Sequence, residues 1–266
     1  MEILDYKTDI GLVRDQNEDS VVTLRHKKNK HVKILICADG MGGREYGEIA
    51  SNFVTTSLEK WFQKKSIKDL NNTSKMEKLI PRYFKTMNTK LIKKYGEDKL
   101  GTTLTVALIT KKKTLICNIG DSRAYIYLKR KLLQITEDDS DVWEYYQDKK
   151  VKKDDLRFFS NSNIITSCIG ICKELCIPNT YTIDNNYDIL LLFTDGVTDC
   201  LTDKRIRKLI RKIPKKYLLQ EIINEAVYKD QKYKLPWYLK RKNYSKYSIP
   251  TNGRDNASGA IYIKNV

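Results

Sequence analysis

Short unbroken apolar runs alternate with stretches of helical period along this 266-residue chain. The run 32–38, Val32-Lys33-Ile34-Leu35-Ile36-Cys37-Ala38, predicts a buried strand that ends on the turn Asp39-Gly40-Met41-Gly42-Gly43. A helix should follow, with Ile49, Phe53, Ser57 and Trp61 as one stripe and Val54, Leu58 and Phe62 reinforcing it. A second helix is expected over 76–95, with Leu79, Tyr83, Met87 and Leu91 on one face; Pro81 marks a kink or a late start in it. From Gly101 the period changes. The segments 102–109, 114–119, 124–128 and 132–135 read as consecutive strands, rich in β-branched residues and tyrosine. Short lysine-rich turns between them predict an antiparallel meander. The segment 138–162 is polar, with weak helical signals. Another buried strand, 189–193, again ends on an Asp-Gly step, Asp195-Gly196. Helices over 203–212 and 217–228, a basic aromatic stretch over 228–251 and a last strand over 257–263 complete the chain. Helices grouped between groups of strands predict an α+β fold, two layers of sheet covered by helices.

The pattern places carboxylates at special points. Asp39, Asp195 and Asp255 fall at the edges of strands, Asp19 stands just before Ser20-Val21-Val22, and Asp121 follows Ile119-Gly120 between two strands. Strand ends are rigid and can aim side chains at a common point. A carboxylate at the end of an apolar strand lies near low dielectric and needs a counter-charge. A hard divalent cation supplies one, and all-oxygen ligands suit Mg²⁺ or Mn²⁺ better than Zn²⁺. A single Asp-Gly step is most simply a turn, and spacing alone names no reaction.

Composition narrows the setting. Hydrophobic residues make up 41% and charged residues 31%, a balance of soluble globular domains rather than disordered chains. No apolar run approaches the roughly 18 residues that span a bilayer. The start Met1-Glu2-Ile3-Leu4-Asp5 has neither a basic nor an apolar signal region, so the cytoplasm is the expected location. Cys37 and Cys117 sit in strand-like runs and should be reduced, buried thiols. Cys168, Cys172 and Cys176 recur every fourth residue, but the usual zinc pattern of two close pairs is missing and no histidine is near. The net charge of +17 points either to an acidic partner, nucleic acid or anionic membrane surface, or to a lysine-rich solvated surface; the scatter of the lysines favours the surface.

One set of motifs adds a resemblance. In order they are Arg14-Asp15-Gln16-Asn17-Glu18-Asp19-Ser20, Asp39-Gly40-Met41-Gly42-Gly43, Gly101-Thr102-Thr103, Gly120-Asp121-Ser122-Arg123-Ala124, Thr194-Asp195-Gly196 and Arg254-Asp255-Asn256. This order resembles the protein phosphatase 2C family of metal-dependent protein phosphatases, its bacterial branch above all, from Tyr6 to Ile263. Each motif alone is weak; six in family order are specific. The resemblance implies a four-layer αββα sandwich, two central antiparallel sheets flanked by helix pairs. It implies a single catalytic domain over 1–266, with a flap near 138–162 and a basic aromatic insertion near 228–251. It implies hydrolysis of phosphoserine and phosphothreonine in proteins, substrates of a serine/threonine kinase, with two or three Mn²⁺ or Mg²⁺ ions. Asp39, Asp195 and Asp255 match ligands of a two-metal centre, and the Gly40 carbonyl matches a backbone ligand. Asp19 and Glu18 match carboxylates that hold the metals directly or through water. Asp121 matches a ligand of a third, weaker site, and Arg14 matches the arginine that grips the substrate phosphate. The catalytic residues so implied are Arg14, Asp39 and Asp195.

The departures are informative. Met41 stands where animal members carry a histidine, and the sole histidines, His26 and His31, lie in a basic stretch. A histidine-based triad has little to draw on. Asp139 stands where the family often has histidine. In 228–251, Lys229, Lys232, Lys234, Lys240, Arg241, Lys242 and Lys246 alternate with Tyr233, Trp237, Tyr238, Tyr244 and Tyr247. Basic residues interleaved with aromatics can bind single-stranded nucleic acid or an anionic surface. The simpler reading is a solvated loop whose aromatics pack on the domain.

Overall fold

The computed structural model describes residues 1–42, 46–229, 233–239 and 247–264. Gly43, Lys232, Lys240, Arg241, Lys242, Tyr244 and Lys246, all named above, lie outside the described residues.

The strands are β1 (Ile3–Asp9), β2 (Asp19–His26), β3 (Asn29–Met41), β4 (Gly101–Thr102), β5 (Leu104–Ile109), β6 (Lys113–Ile119), β7 (Arg123–Leu128), β8 (Lys131–Gln134), β9 (Asn179–Asp184), β10 (Ile189–Phe193) and β11 (Ala257–Ile263). Among the described residues they form two sheets, one in the order β1-β11-β10-β7-β8, the other β2-β3-β5-β6-β9 with β4 paired to β3. Every pairing is antiparallel. The helices are α1 (Tyr46–Lys64), α2 (Ile67–Leu70), α3 (Thr73–Tyr95), α4 (Trp143–Gln147), α5 (Asp195–Thr198), α6 (Asp203–Lys212) and α7 (Leu218–Tyr228).

The alternation along β3 explains the layers. Ile34, Ile36 and Ala38 face out from the second sheet and pack under Val54, Leu58 and Phe62 of α1 and Phe84 of α3. Leu35 and Cys37 face the other way, into a core shared with Ala124, Leu190, Leu192 and Ala260 of the first sheet. The outer face of the first sheet, Tyr125, Leu191 and Phe193, is covered by α6 and α7 through Ile206, Ile210, Ile222 and Ala226. A strand buried on both faces reads as an unbroken apolar run. The four-layer αββα arrangement expected above is therefore the fold.

Four details differ from the sequence reading. β3 runs on through Asp39, Gly40 and Met41, where a turn was expected, because Asp39 pairs with Asp19 of β2 and Gly40 and Met41 pair with Thr102 and Gly101 of β4. On α1 the buried row is Ala50, Val54, Leu58 and Phe62, one residue on from the expected stripe, while Ile49 is 36% exposed. The small Ala50 lets α1 lie close to the sheet, and Trp61 turns sideways to stack on Tyr83 of α3 at 5.5 Å. On α3, Met76, Ile80, Phe84, Met87 and Leu91 are buried, while Leu79 and Tyr83 pack at the margin. The helix starts upstream of Pro81, capped by the Asn72 side chain accepting from the Lys75 amide at 3.0 Å. The predicted meander is also corrected. β5 and β6 belong to the second sheet and β7 and β8 to the first, so the chain changes sheets at Gly120-Asp121-Ser122.

Candidate active site

Five points of the chain deliver carboxylates to one end of the sandwich. Asp19 opens β2 and Asp39 lies near the end of β3; the two are direct register partners. Asp121 sits at the change of sheets, and Asp195 begins α5 just past β10. Asp255 precedes β11. Asp19 and Asp121 are buried, whereas Asp39 and Asp195 keep an edge open to the cleft. The five sequence-predicted aspartates thus converge, each of the first four feeling the charge of others in the group.

Local backbone requirements explain the glycines. The Gly40 amide donates to the Glu18 carbonyl at 3.1 Å, and a Cβ there would lie 2.2 Å from the Gly47 carbonyl oxygen. Only glycine lets β3, the Glu18 backbone and the start of α1 close on one another. Gly120 adopts φ +96°, which the sheet change needs. Asp139 holds that turn: its carboxylate accepts from the Gly120 amide at 2.9 Å and from Asn179 at 3.2 Å, and its own amide donates to the Gly120 carbonyl.

The carboxylates are short of positive partners. Asp19 Oδ2 accepts from the Thr194 hydroxyl at 2.9 Å, but Asp19 Oδ1, Asp121 Oδ1 and Asp195 Oδ1 are buried without a hydrogen-bond partner. Burial, then the charge of Asp195, raises the Asp39 and Asp121 carboxyls well above the usual range. Burial also holds Asp19 high. Burial and the charge of Asp255 push Asp195 up to about 7. Ionised, this group needs compensation that the described residues do not provide. A divalent cation that prefers oxygen fits: the donors are carboxylate oxygens with lone pairs to spare. Among the described residues no three His, Cys, Asp or Glu side chains close around a single point. The carboxylates form an open floor instead.

At the rim, Arg14 donates to Asp255 Oδ2 at 2.8 Å and lies 3.9 Å from Glu18. The bond to Asp255 raises the guanidinium's affinity for its proton. Glu18 is half-buried, its carboxyl raised by burial, with its amide donating to Asn256 Oδ1 at 2.9 Å. Both histidines are elsewhere. His26 packs edge-on against Phe62, ring centroids 5.2 Å apart, and His31 is exposed near the far end of β3.

Two acidic residues at the site were not singled out from the sequence. Asp138 is buried and gripped by Arg123 through bonds of 2.8 and 2.6 Å. Asp199, one turn beyond Asp195, faces the guanidinium groups of Arg123 and Arg157, yet burial still raises its carboxyl. The i, i+4 step from Asp195 was the available signal for Asp199; Asp138 lay hidden in a run of acidic residues.

Comparison with known proteins agrees with this geometry. The family model described as protein phosphatase 2C matches residues 14–227, which includes every site aspartate above except Asp255. The serine/threonine phosphatase stp of Listeria welshimeri is 30% identical over 201 residues, covering 73% of this chain and 77% of that protein. The crystal structure of the serine/threonine phosphatase Stp1 from Staphylococcus aureus is 27% identical, with a TM-score of 0.80 over 100% of this chain and 96% of that one. The catalytic domain of the serine/threonine protein phosphatase PstP, solved in complex with two manganese ions, shares the fold at 23% identity and a TM-score of 0.73, covering 98% of this chain and 97% of that one. With 214 consecutive positions inside the family model and the motifs gathered at one end of the sandwich, this chain belongs to the protein phosphatase 2C family.

Proposed function

We propose that the chain is a metal-dependent serine/threonine phosphoprotein phosphatase. The observation that carries this reading is the floor of Asp19, Asp39, Asp121 and Asp195, short of cationic partners and bordered by Arg14. Asp39, Asp195 and Asp255 would hold two Mn²⁺ or Mg²⁺ ions together with the Gly40 carbonyl. Asp19 and Glu18 would hold them directly or through water, and Asp121 would serve a third ion. Bound ions supply a water acidified towards neutrality and positive charge against the phosphoryl oxygens. Thr194 fixes Asp19 by a hydrogen bond, and the other carboxylate oxygen is left without a partner. With both histidines remote, the chain offers no imidazole to protonate the leaving group.

Phosphorylated serine and threonine side chains of proteins, made by a kinase, are the proposed substrates. The cytoplasm is the proposed location, consistent with Cys37, Cys117 and Cys200 as free buried thiols. No helix of the described residues is long and apolar enough to cross a membrane. The whole chain is proposed to act as one catalytic domain, since both sheets share an inner core. Phosphate release from a phosphothreonine peptide should require added Mn²⁺ or Mg²⁺. Equal release from a phosphotyrosine peptide, or none from either, would overturn the assignment.

Arg14 is proposed to grip the phosphate with two parallel donors, a geometry lysine cannot copy. Arg14→Ala should therefore mainly raise KM for the phosphopeptide. Catalytic efficiency should fall about ten- to a hundredfold, the worth of a charge-assisted bond of roughly 1.5–3 kcal/mol. Arg14→Lys should recover part of it. Unchanged kinetics with a lower Tm would mark Arg14 as a surface ion-pair residue that holds Asp255 only.

A further inference from the structure

The basic aromatic stretch does not stand off the domain as a separate loop. Its described residues fuse with the flap into a fourth apolar cluster: Val142, Trp143, Val151, Leu156, Phe158 and Phe159 from the flap, and fully buried Leu239 from the stretch. Tyr233, Tyr238 and Tyr247 pack against this cluster. The Ser248 amide donates to the Phe158 carbonyl at 2.8 Å, and Phe159 and Tyr247 form an antiparallel bridge with ring centroids 5.5 Å apart. The Tyr238 hydroxyl bonds the Asp155 carboxylate, and the Tyr247 hydroxyl bonds the Leu239 carbonyl at 2.8 Å. Tyr233 anchors the other side, its hydroxyl donating to the Cys200 carbonyl at 2.8 Å, just after α5.

This junction borders a cleft of about 340 Å³ that opens from the carboxylate floor. Arg14, Asp195 and Asp255 line its inner end. Ser160 of the flap and Asn163 just beyond it form one wall, and Ile249 and Pro250 of the stretch form another. The walls offer hydroxyl and amide groups for a peptide backbone and, in Ile249, 61% exposed, an apolar contact for a side chain. An isolated flap with so short a helix and 3₁₀ turn has little of its own to hold it. The stretch adds to the flap's other anchors, Arg157 donating to the Asp199 carbonyl at 2.8 Å and Lys153 to Gln134 at 2.8 Å.

We infer that residues 233–239 and 247–251 lock the flap in place and complete, with it, the cleft that seats the polypeptide flanking the phosphorylated residue. The inference rests on the phosphatase reading above. A small aryl phosphate carries no flanking polypeptide to seat, whereas a peptide does, so the two substrates separate the roles.

The test uses the whole chain with Mn²⁺, p-nitrophenyl phosphate and a phosphothreonine peptide. Ile249→Asp changes an exposed position and should leave folding intact. It should cost roughly tenfold in kcat/KM on the peptide, mostly through KM, the scale of a lost apolar contact in a pocket. On p-nitrophenyl phosphate kcat/KM should stay within about twofold of wild type, since that substrate has no flanking chain to seat. Leu239→Ala should speed hydrogen exchange at the Ser248 amide and raise the peptide KM while sparing the aryl phosphate. Equal losses on both substrates, unchanged peptide kinetics in Ile249→Asp, or unchanged Ser248 exchange in Leu239→Ala would overturn the inference. A wild-type protein that releases no phosphate from either substrate would instead remove the phosphatase reading itself.

Discussion

Asp39→Asn stops phosphate release and, in the metal-free protein, raises the melting temperature: this is the expected result with the largest effect on activity. Asp39 faces Asp19 across β2 and β3 and lies within reach of the Asp195 carboxyl. Burial and these neighbours make its ionised form costly. An amide of the same shape removes one repelling charge, so the metal-free fold gains. The same change removes a charged oxygen ligand, so the bound water is less acidic and the phosphoryl charge less compensated. Turnover should fall by roughly three orders of magnitude, the scale of losing one preorganised group at the transition state. Asp195→Asn should behave alike. Steady-state assays at saturating Mn²⁺, with calorimetry in EDTA, measure both effects. A folded Asp39→Asn variant with near-normal turnover would place the metal ligands elsewhere.

The second large effect is the joint dependence of stability on metal and pH. Asp19, Asp39 and Asp121 are raised well above the ordinary range by burial, and Asp195 reaches about 7. The folded chain therefore binds these protons more tightly than the unfolded chain, whose aspartates titrate near about 4. Folding takes up protons between those values. The resulting stability is fully present below about pH 4 and is lost as pH rises through the folded values. In EDTA, Tm should fall between pH 5 and pH 8 as these groups are forced to ionise. Mn²⁺ favours the ionised form, so its stabilisation should be larger at pH 8 than at pH 5. At a hundredfold excess over Kd it should raise Tm by roughly 5–10 °C. Exhaustive chelation should also abolish turnover. A Tm that ignores both pH and metal, or full activity in EDTA, would show that the carboxylate floor holds no cation.

The described part of the basic stretch bears on its chemistry as well. Tyr233, Tyr238 and Tyr247 have their rings against the flap cluster, while Trp237 is 69% exposed. Lys229 pairs with Glu225 at 3.2 Å. Packing on the domain, the simpler of the two sequence readings, describes these three tyrosines.

What the amino-acid order determined by itself is local. The runs of β3 and β10 were legible because strands buried on both faces leave few polar positions to confuse the period, Lys33 being the single one in 32–38. The bounds of α6 and β11 were read to the residue, since their patterns begin and end abruptly. The site aspartates stood out because each interrupts or borders an apolar run. The edge strands β1 and β9 were not read, because an edge strand is only partly covered and carries a diluted pattern. The tertiary structure alone decided which sheet each strand joins. A period of two names a strand but not its partner, so β6 and β7, neighbours in sequence, lie in different sheets and place Asp121 between them. It alone paired Asp138 with Arg123, turned Asp199 towards the cleft and brought 233–239 and 247–251 onto the flap. Those contacts join residues from separate elements, and they form because burying Phe159, Leu239 and their neighbours together removes apolar surface from water that neither segment could bury alone.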